Sequence, residues 1–366
     1  MSRSTINVGI VGCGVISANY IEGMRTFAIL NIVACTDLDG ERAKAKAAHY
    51  HIPKACSVEE LLADPDIDIV LNLTTPQAHA SIALAAIKAG KSVYNEKPLA
   101  VTREDAQTIL TKAHERGVLV GCAPDIFLGA PLQTCRKLLD DGAIGQPLAA
   151  NAFLLNHGPE SWHPNPAFYY QLGGGPMFDM GPYYLTALIL LLGPVSRVSA
   201  ITRQPFIERS ASSHGMKIPV TTPTHIAGLL DFAQGAVATL VTSFDVWATE
   251  LPAIEIYGTE GTLSIANPSF FRGPVRLRRA GEREWNTIPL KYGYMNGGRG
   301  IGVADLAYAL RSGREHRANG TLGYHVLDIM HAFHESASTG QHMSLTSTCS
   351  RPVPLPLDLF TGTLDE

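Results

Sequence analysis

A short apolar run, Ile6-Asn7-Val8-Gly9-Ile10-Val11, ends in the turn Gly12-Cys13-Gly14 and continues into Val15-Ile16-Ser17. No other feature constrains the fold as strongly. The run reads as a buried parallel strand. The glycines let the backbone turn tightly and approach a pyrophosphate. A helix starting at Val15 and Ile16 would offer its N–H groups and positive dipole end to the phosphates. A second apolar run, Asn31-Ile32-Val33-Ala34-Cys35-Thr36, closes at Asp37, about the spacing at which a carboxylate bonds an adenosine ribose. Small glycine turns also occur without a ligand, and Ser17 replaces the third glycine of the fingerprint. The strand–turn–helix–strand–Asp order makes the cofactor reading the stronger one. Asp37 would repel a 2′-phosphate, and the first basic residue beyond it is Arg42, so NAD is expected over NADP. The candidate contacts here are Gly12, Gly14, Val15, Ile16 and Asp37.

The 366 residues suffice for two domains with a sizeable core. Hydrophobic residues at 46% and charged residues at 17% exclude a disordered chain. A net charge of −4 lacks the basic footprint of a nucleic-acid binder. Cysteines 13, 35, 56, 122, 135 and 349 form no CxxC pair. They read as small buried hydrophobes in a reducing compartment, with no metal site. The first strand begins too early for a signal peptide. The apolar run Leu185–Leu192 is too short for a bilayer and ends at Gly193-Pro194. A cytoplasmic protein without a membrane partner is expected.

The first part alternates strands (6–11, 31–36, 54–56, 68–73, 92–95, 118–122) with helices (15–26, 39–50, 58–63, 77–89, 103–116). Ser57 three before Glu60, and Thr102 three before Asp105, read as helix starts. Gly90 and Gly117 suit left-handed caps at helix ends. This alternation implies an α/β fold with a doubly wound parallel sheet. Near residue 124 the pattern changes. A helix is predicted over 130–141, and strands over 147–157, 195–204, 224–233, 236–246, 252–257 and 262–266. The turns Phe232-Ala233-Gln234-Gly235 and Gly258-Thr259-Glu260-Gly261 read as hairpins, so the second sheet should be mostly antiparallel. An apolar helix over 181–192 should cover one face of it. A last helix over 319–338 is placed back against the first domain. Segment 204–223 reads as a long loop. The expected domains are 1–123 and 124–366.

Glu96-Lys97-Pro98 follows the strand 92–95, at the edge that faces the ligand crevice in such sheets. A lysine there can bond a substrate hydroxyl and stabilise a developing alkoxide. A surface lysine paired with an acid is the plainer alternative. Asn72-Leu73-Thr74-Thr75-Pro76-Gln77-Ala78-His79 ends the preceding strand. One reading sets Leu73, Thr74 and Pro76 beside the nicotinamide ribose, with His79 nearby; the other is a capped helix with His79 exposed. In Gly173-Gly174-Gly175-Pro176-Met177-Phe178-Asp179-Met180-Gly181-Pro182-Tyr183-Tyr184, a helix starting near 177 would put Asp179 and Tyr183 on one face, a turn apart. A phenol close to an ammonium takes a proton nearer neutral pH. A helix-start acid and a core aromatic are the alternative. Asp125 either bonds substrate hydroxyls or caps a helix. In the loop 156–166, Trp162 could stack on a sugar ring and His163 bond a hydroxyl, or the loop is structural.

Gly-x-Gly, Asp at the second strand end, Thr-Pro-x-x-His, Glu-Lys-Pro and Gly-Gly-Gly-x-x-x-Asp-x-Gly occur here in one order. With Tyr257-Gly258-Thr259-Glu260-Gly261-Thr262, they resemble the glucose–fructose oxidoreductase/inositol dehydrogenase/rhizopine-catabolism (Gfo/Idh/MocA) family over nearly the whole chain. The resemblance implies an N-terminal Rossmann domain and a C-terminal α+β domain with a large open antiparallel sheet. It also implies a homodimer or homotetramer through that sheet, and oxidation or reduction of a sugar, cyclitol or related polyol with NAD(P). It makes Lys97 the catalytic lysine, allows a cis bond to Pro98, and has Asp179 orient lysine or substrate. Many relatives carry His four residues after the Asp. Tyr183 is similar instead to the glucose–fructose oxidoreductase and dihydrodiol dehydrogenase branch, where the phenol is the acid/base; Tyr184 is the fallback.

The expectation is therefore an NAD-dependent dehydrogenase or reductase of a secondary alcohol. The catalytic set is Lys97, Tyr183 and Asp179. Glu96, Lys97 and His79 join the cofactor contacts. The substrate contacts are Lys97, Asp125, Trp162, His163, Asp179 and Tyr183. An NAD-retaining hydrolase or lyase and a non-catalytic regulator are the competing readings.

Overall fold

The structure, a computed structural model, describes residues 5–163, 166–171, 173–211, 216–295 and 298–366. Its residues group into two compact units: 1–129, 292–324 and 352–366 in the first, 130–291 and 325–351 in the second.

The first unit contains six parallel strands: β1 (Ile6–Val11), β2 (Leu30–Thr36), β3 (Lys54–Ala55), β4 (Ile69–Asn72), β5 (Ser92–Asn95) and β6 (Val120–Cys122). Their order is β3-β2-β1-β4-β5-β6. The helices between them are α1 (Val15–Met24), α2 (Gly40–His49), α3 (Val58–Ala63), α4 (Pro76–Lys88) and α5 (Arg103–Arg116). Strands β4 and β5 bury every residue and β1 its last four, as strands covered on both faces do. Ser57 and Glu60 form a reciprocal capping box at α3, Thr102 accepts from the Asp105 amide at 3.1 Å, and Gly117 is the left-handed cap of α5. The strand order reverses between β1 and β4, which is where such sheets hold ligands.

The second unit begins with α6 (Ala130–Asp140), β7 (Pro147–Leu155) and a 3-10 turn over Ala167–Tyr170. Then come α7 (Gly175–Asp179), α8 (Gly181–Leu192) and β8 (Val195–Arg203). The strands β9 (Glu208–Ala211) and β10 (Met216–Pro219) follow, then β11 (His225–Phe232), β12 (Val237–Ser243), β13 (Ile254–Gly258), β14 (Gly261–Ile265), β15 (Val275–Arg279) and β16 (Asn286–Ile288). The chain ends with α9 (Ile301–Ser312), α10 (Gly320–Thr339) and β17 (Met343–Ser344).

Nine strands form one sheet in the order β16-β15-β14-β13-β7-β12-β11-β8-β17. Among the described residues only β7 and β12 pair in parallel in it, so the sheet is mostly antiparallel, as predicted. All twelve residues of α8 are buried, as an all-apolar helix requires.

Three expectations need correction. Segment 204–223 is not simply a loop: β9 and β10 pair as a hairpin. Ile218 and Val220 bury themselves with Tyr170 and Phe244, and that contact stabilises a strand too short to announce itself. Residues after 123 do not form one block, because 292–324 and 352–366 join the first unit. Helix α9 belongs to that returning part and was not anticipated. The last helix begins in the first unit and continues in the second.

Candidate active site

The first unit gathers most of the predicted cofactor contacts at the switch point. Gly12 has φ +102°, and a Cβ there would lie 2.6 Å from the Leu73 carbonyl oxygen. Only glycine lets the ends of β1 and β4 come this close. Gly14 caps the start of α1 without a side-chain bond, and a Cβ on it would meet nothing within 4 Å. Val15 beside it is 85% exposed, and Ile16 is half-buried. The turn therefore presents open, small-residue backbone at a helix start whose first N–H groups lack intrahelical partners. That cradle fits a dinucleotide pyrophosphate. Ser17 is buried, with its hydroxyl 2.7 Å from the Gly14 carbonyl.

Asp37 holds this turn as well as closing β2. Its Oδ2 accepts from the Cys13 amide at 2.8 Å, and its Oδ1 from the Asp39 amide at 2.9 Å and from Arg42 Nη1 at 3.3 Å. A carboxylate has about four lone-pair sites, so capacity remains for a ribose hydroxyl.

At the ends of β4 and β5, two buried asparagines organise the turns. Asn72 Nδ2 donates to Asn95 Oδ1 at 3.0 Å and to the His79 carbonyl at 3.1 Å, and Asn72 Oδ1 accepts from the Thr74 hydroxyl at 2.7 Å. Asn95 Nδ2 donates to the Leu99 carbonyl at 3.0 Å. Leu73 is buried, Thr74 is half-buried, and Pro76 opens α4. His79 is neither exposed nor turned to a ligand. It is 1% exposed, with Nδ1 2.6 Å from the Pro98 carbonyl and Nε2 3.1 Å from the Thr74 carbonyl. Burial lowers its pKa against these two carbonyls. The imidazole is a strut between the two turns, which corrects its assignment as a cofactor contact.

Glu96 is likewise turned inward. Its Oε1 accepts from the Tyr20 hydroxyl at 2.7 Å and from Arg299 at 3.0 Å, and its Oε2 from the Lys97 amide at 3.0 Å. Burial alone would raise this carboxyl. The Arg299 and Lys97 charges and the two hydrogen bonds outweigh it, and the pKa lies below the ordinary value. The carboxylate therefore anchors the turn rather than reaching a cofactor. Lys97 is half-buried at that turn, and its bond to Pro98 is cis.

Asp125 lies inside the first unit. It is wholly buried, and its Oδ2 accepts the amides of Gly300 and Gly302 at 2.9 and 3.0 Å, at the start of α9. Of its two readings, the capping one is observed, on a helix 175 residues away. Burial raises its pKa.

In the second unit, Asp179 ends α7 and Tyr183 lies in the first turn of α8. They do not share one continuous helix. Met180 separates the two, and the reason is Pro182: within a longer helix its ring would clash with the carbonyl four residues back. Gly175-Pro176 and Gly181-Pro182 each start a short helix instead. Tyr183 is 4% exposed and Tyr184 is 1% exposed. Burial pushes the Tyr184 phenol well up, which keeps it protonated. Trp162 is exposed and meets His163 edge-on, with centroids 5.4 Å apart; His163 also meets Phe168 and Tyr169. Residues 164 and 165 of that loop lie outside the described residues. Among the described residues, no cluster of three His, Cys, Asp or Glu side chains could hold a metal ion, and no helix is long and apolar enough to cross a membrane. The six cysteines are unpaired, four of them buried.

Sequence reasoning missed Asn72, Asn95, Tyr20 and Arg299. The asparagines carried a signal: Asn95 ends a predicted strand, Asn72 lies one residue before the end of another, and the two pair in register. Arg299 carried none.

Two family models match the chain. Residues 6–123 match the oxidoreductase family, NAD-binding Rossmann fold, and residues 132–264 match the GFO/IDH/MocA C-terminal domain. The chain is 31% identical over 280 residues to 1,5-anhydro-D-fructose reductase of Ensifer adhaerens, covering 74% of this chain and 80% of that protein. It is 27% identical over 306 residues to trans-1,2-dihydrobenzene-1,2-diol dehydrogenase of Xenopus tropicalis, covering 83% and 87%. In fold it is similar to levoglucosan dehydrogenase solved with NADH and L-sorbose, with a TM-score of 0.82 and 23% identity over 94% of this chain and 99% of that one. With the Gly12–Gly14 cradle, Asp37 and the Glu96-Lys97-Pro98 turn in place, these matches make the chain a member of the GFO/IDH/MocA oxidoreductase family with an NAD-binding Rossmann unit.

Proposed function

We propose that this protein is an NAD-dependent dehydrogenase or reductase acting on a secondary alcohol or ketone of a sugar, glycoside or cyclitol. The observation that carries the reading is Lys97, held at the end of β5 by a turn that Glu96 and His79 brace from both sides. The names of the relatives, a sugar reductase and a diol dehydrogenase, point to the same substrate class.

NAD, held by Gly12, Gly14, the first turn of α1 and Asp37, supplies the hydride acceptor or donor when bound. The Lys97 ammonium donates a hydrogen bond to the reacting oxygen and stabilises negative charge developing there. Tyr183 moves the proton. Asp179 orients lysine or substrate. Trp162 and His163 contact the polyol.

Self-association through the large sheet belongs to the same reading. Ile201, Leu229 and Val237 are exposed, and the pairings Ile201–Ala227, Leu229–Thr239 and Val237–Asp231 put them on one face. An exposed apolar patch of this kind marks an interaction surface.

The test is nicotinamide absorbance with NAD and a panel of sugars, cyclitols and aryl glycosides, with aglycone release followed in parallel. Net NADH that requires one polyol and disappears in Lys97→Ala supports the dehydrogenase. Aglycone release without net NADH moves the assignment to an NAD-retaining hydrolase. NAD binding with silence in both assays favours a regulator.

A further inference from the structure

The second unit contains a cavity of about 440 Å³ that involves neither Asp179 nor Tyr183. Three segments form its walls: the loop after β7, the start of the β9–β10 hairpin, and the loop after β12. The Trp247 indole is 83% exposed and stacks on His157, with centroids 3.4 Å apart and planes at 17°. Phe206 lies against the Arg209 guanidinium at 5.3 Å, and both line the cavity.

The floor is a buried ion cluster. Arg209 Nε donates to Glu160 Oε1 at 2.5 Å and Nη1 to Asp245 Oδ1 at 3.0 Å, while Nη2 donates to the carbonyls of His157 and Phe244. The cation is therefore engaged on every nitrogen and faces two carboxylates, while Glu208 on the wall pairs with Lys217 at 2.9 Å. This surplus of negative charge is unsuited to a phosphate or carboxylate ligand. Three buried polar atoms collect here, His157 Nδ1, Glu160 Oε2 and the Tyr170 hydroxyl, and the Tyr170 side chain hydrogen-bonds the Glu160 carboxylate. A Cβ on Gly158 would lie 2.2 Å from that hydroxyl and 2.3 Å from Glu160 Oε2, so only glycine fits against this buried pair. Burial and the hydrogen bond to the Glu160 carboxylate push the Tyr170 phenol up, so it stays protonated as a donor to that carboxylate.

The exposed Trp247 platform, the Glu208 carboxylate, and Ser161 and Ser210 on two different walls match a neutral ring with an apolar face and hydroxyls at its edge. We propose that this cavity binds a saccharide ring other than the one that reacts, so that the substrate is a glycoside or oligosaccharide end rather than a free monosaccharide. The inference rests on the sugar reading above and extends it. The 3-10 turn carrying Tyr170 also packs on the triple-glycine turn before Asp179: a Cβ on Gly174 would lie 2.6 Å from the Phe168 carbonyl oxygen. The cavity floor and the turn leading to Asp179 thus share one packed segment.

Calorimetric titration of the NADH-loaded protein with glucose and galactose, and with cellobiose, maltose and lactose, tests this. At least one disaccharide should bind about tenfold more tightly than its monosaccharides, equivalent to about 1.4 kcal/mol. Trp247→Ala should bring that ratio near one, and Trp247→Phe, which keeps a platform, should restore most of it. Trp247 is exposed, so its loss leaves the core intact, and NADH binding checks the preparation. A ratio near one in the unaltered protein, or an advantage that survives Trp247→Ala, overturns the subsite. If monosaccharides also yield NADH in that case, the dehydrogenase reading stands without it. If no polyol of either length binds or yields NADH, both readings fall. Tighter binding of choline or phosphate than of any saccharide also overturns the subsite.

Discussion

The Arg299 guanidinium lies 3.0 Å from a Glu96 carboxylate oxygen, with the two side chains 16% and 10% exposed. These residues are 203 positions apart. A Cβ on Gly23 would lie within bonding reach of the Arg299 carbonyl oxygen, so the returning segment rests directly on α1. The pair joins the helix after the dinucleotide turn to the turn carrying Lys97.

Arg299→Met should therefore destabilise the protein by roughly 3–5 kcal/mol, since it leaves a buried carboxylate without its cation. Arg299→Met with Glu96→Gln should recover much of that loss. Urea unfolding of both variants checks this; a loss below about 1 kcal/mol in the single variant would show that water screens the pair.

Lys97→Ala should lower kcat roughly 10²–10³-fold, the scale for one electrostatic donor. Tyr183→Phe should cost about 10²–10⁴-fold, the range for a general acid or base. Steady-state kinetics on the polyol found in the panel measures both, and near-normal turnover in either variant removes that residue from the mechanism.

Asp37→Ser should shift cofactor choice. It removes the charge that repels a 2′-phosphate and frees Arg42, now 3.3 Å from that carboxylate. The ratio of kcat/KM for NAD over NADP should fall at least about tenfold, or about 1.4 kcal/mol. An unchanged ratio would mean that Asp37 serves only the turn, through the Cys13 amide.

His325 makes stability depend on pH. It is buried, its Nε2 accepts the Val195 amide at 3.0 Å, and its Nδ1 lies 2.7 Å from the Ser347 hydroxyl, which itself donates to Asp328. Burial lowers its pKa to about 4. The unfolded chain takes up this proton near pH 6.5 and the folded chain does not. The contribution is complete above about pH 6.5 and is lost as pH falls towards 4. It amounts to about 3 kcal/mol at most. Urea unfolding at pH 7.5 and 5 should show a smaller pH dependence in His325→Gln than in the unaltered chain.

Leu229→Lys should weaken self-association by placing a charge in the middle of the exposed sheet face. Analytical ultracentrifugation reads the outcome; the same sedimentation as the unaltered protein would exclude this face as the interface.

The sequence by itself determined the strands and helices up to residue 123 to within a few residues. Apolar runs, the Ser57–Glu60 box and the left-handed Gly117 are local features, and the free energy that decides them is local too. It also placed Gly12, Gly14, Asp37 and Lys97 at strand ends facing the crevice edge, because strand–helix alternation leaves few topologies. Only the tertiary structure decided which polar groups brace the site and which face a ligand. Asp125, His79 and Glu96 looked like ligands in sequence, yet their partners are backbone amides, carbonyls and an arginine up to 203 residues away. The hairpin β9–β10 likewise depends on Tyr170 and Phe244. Such choices follow from where a buried polar or apolar group finds a partner once the chain has closed on itself, and no local pattern encodes that distance.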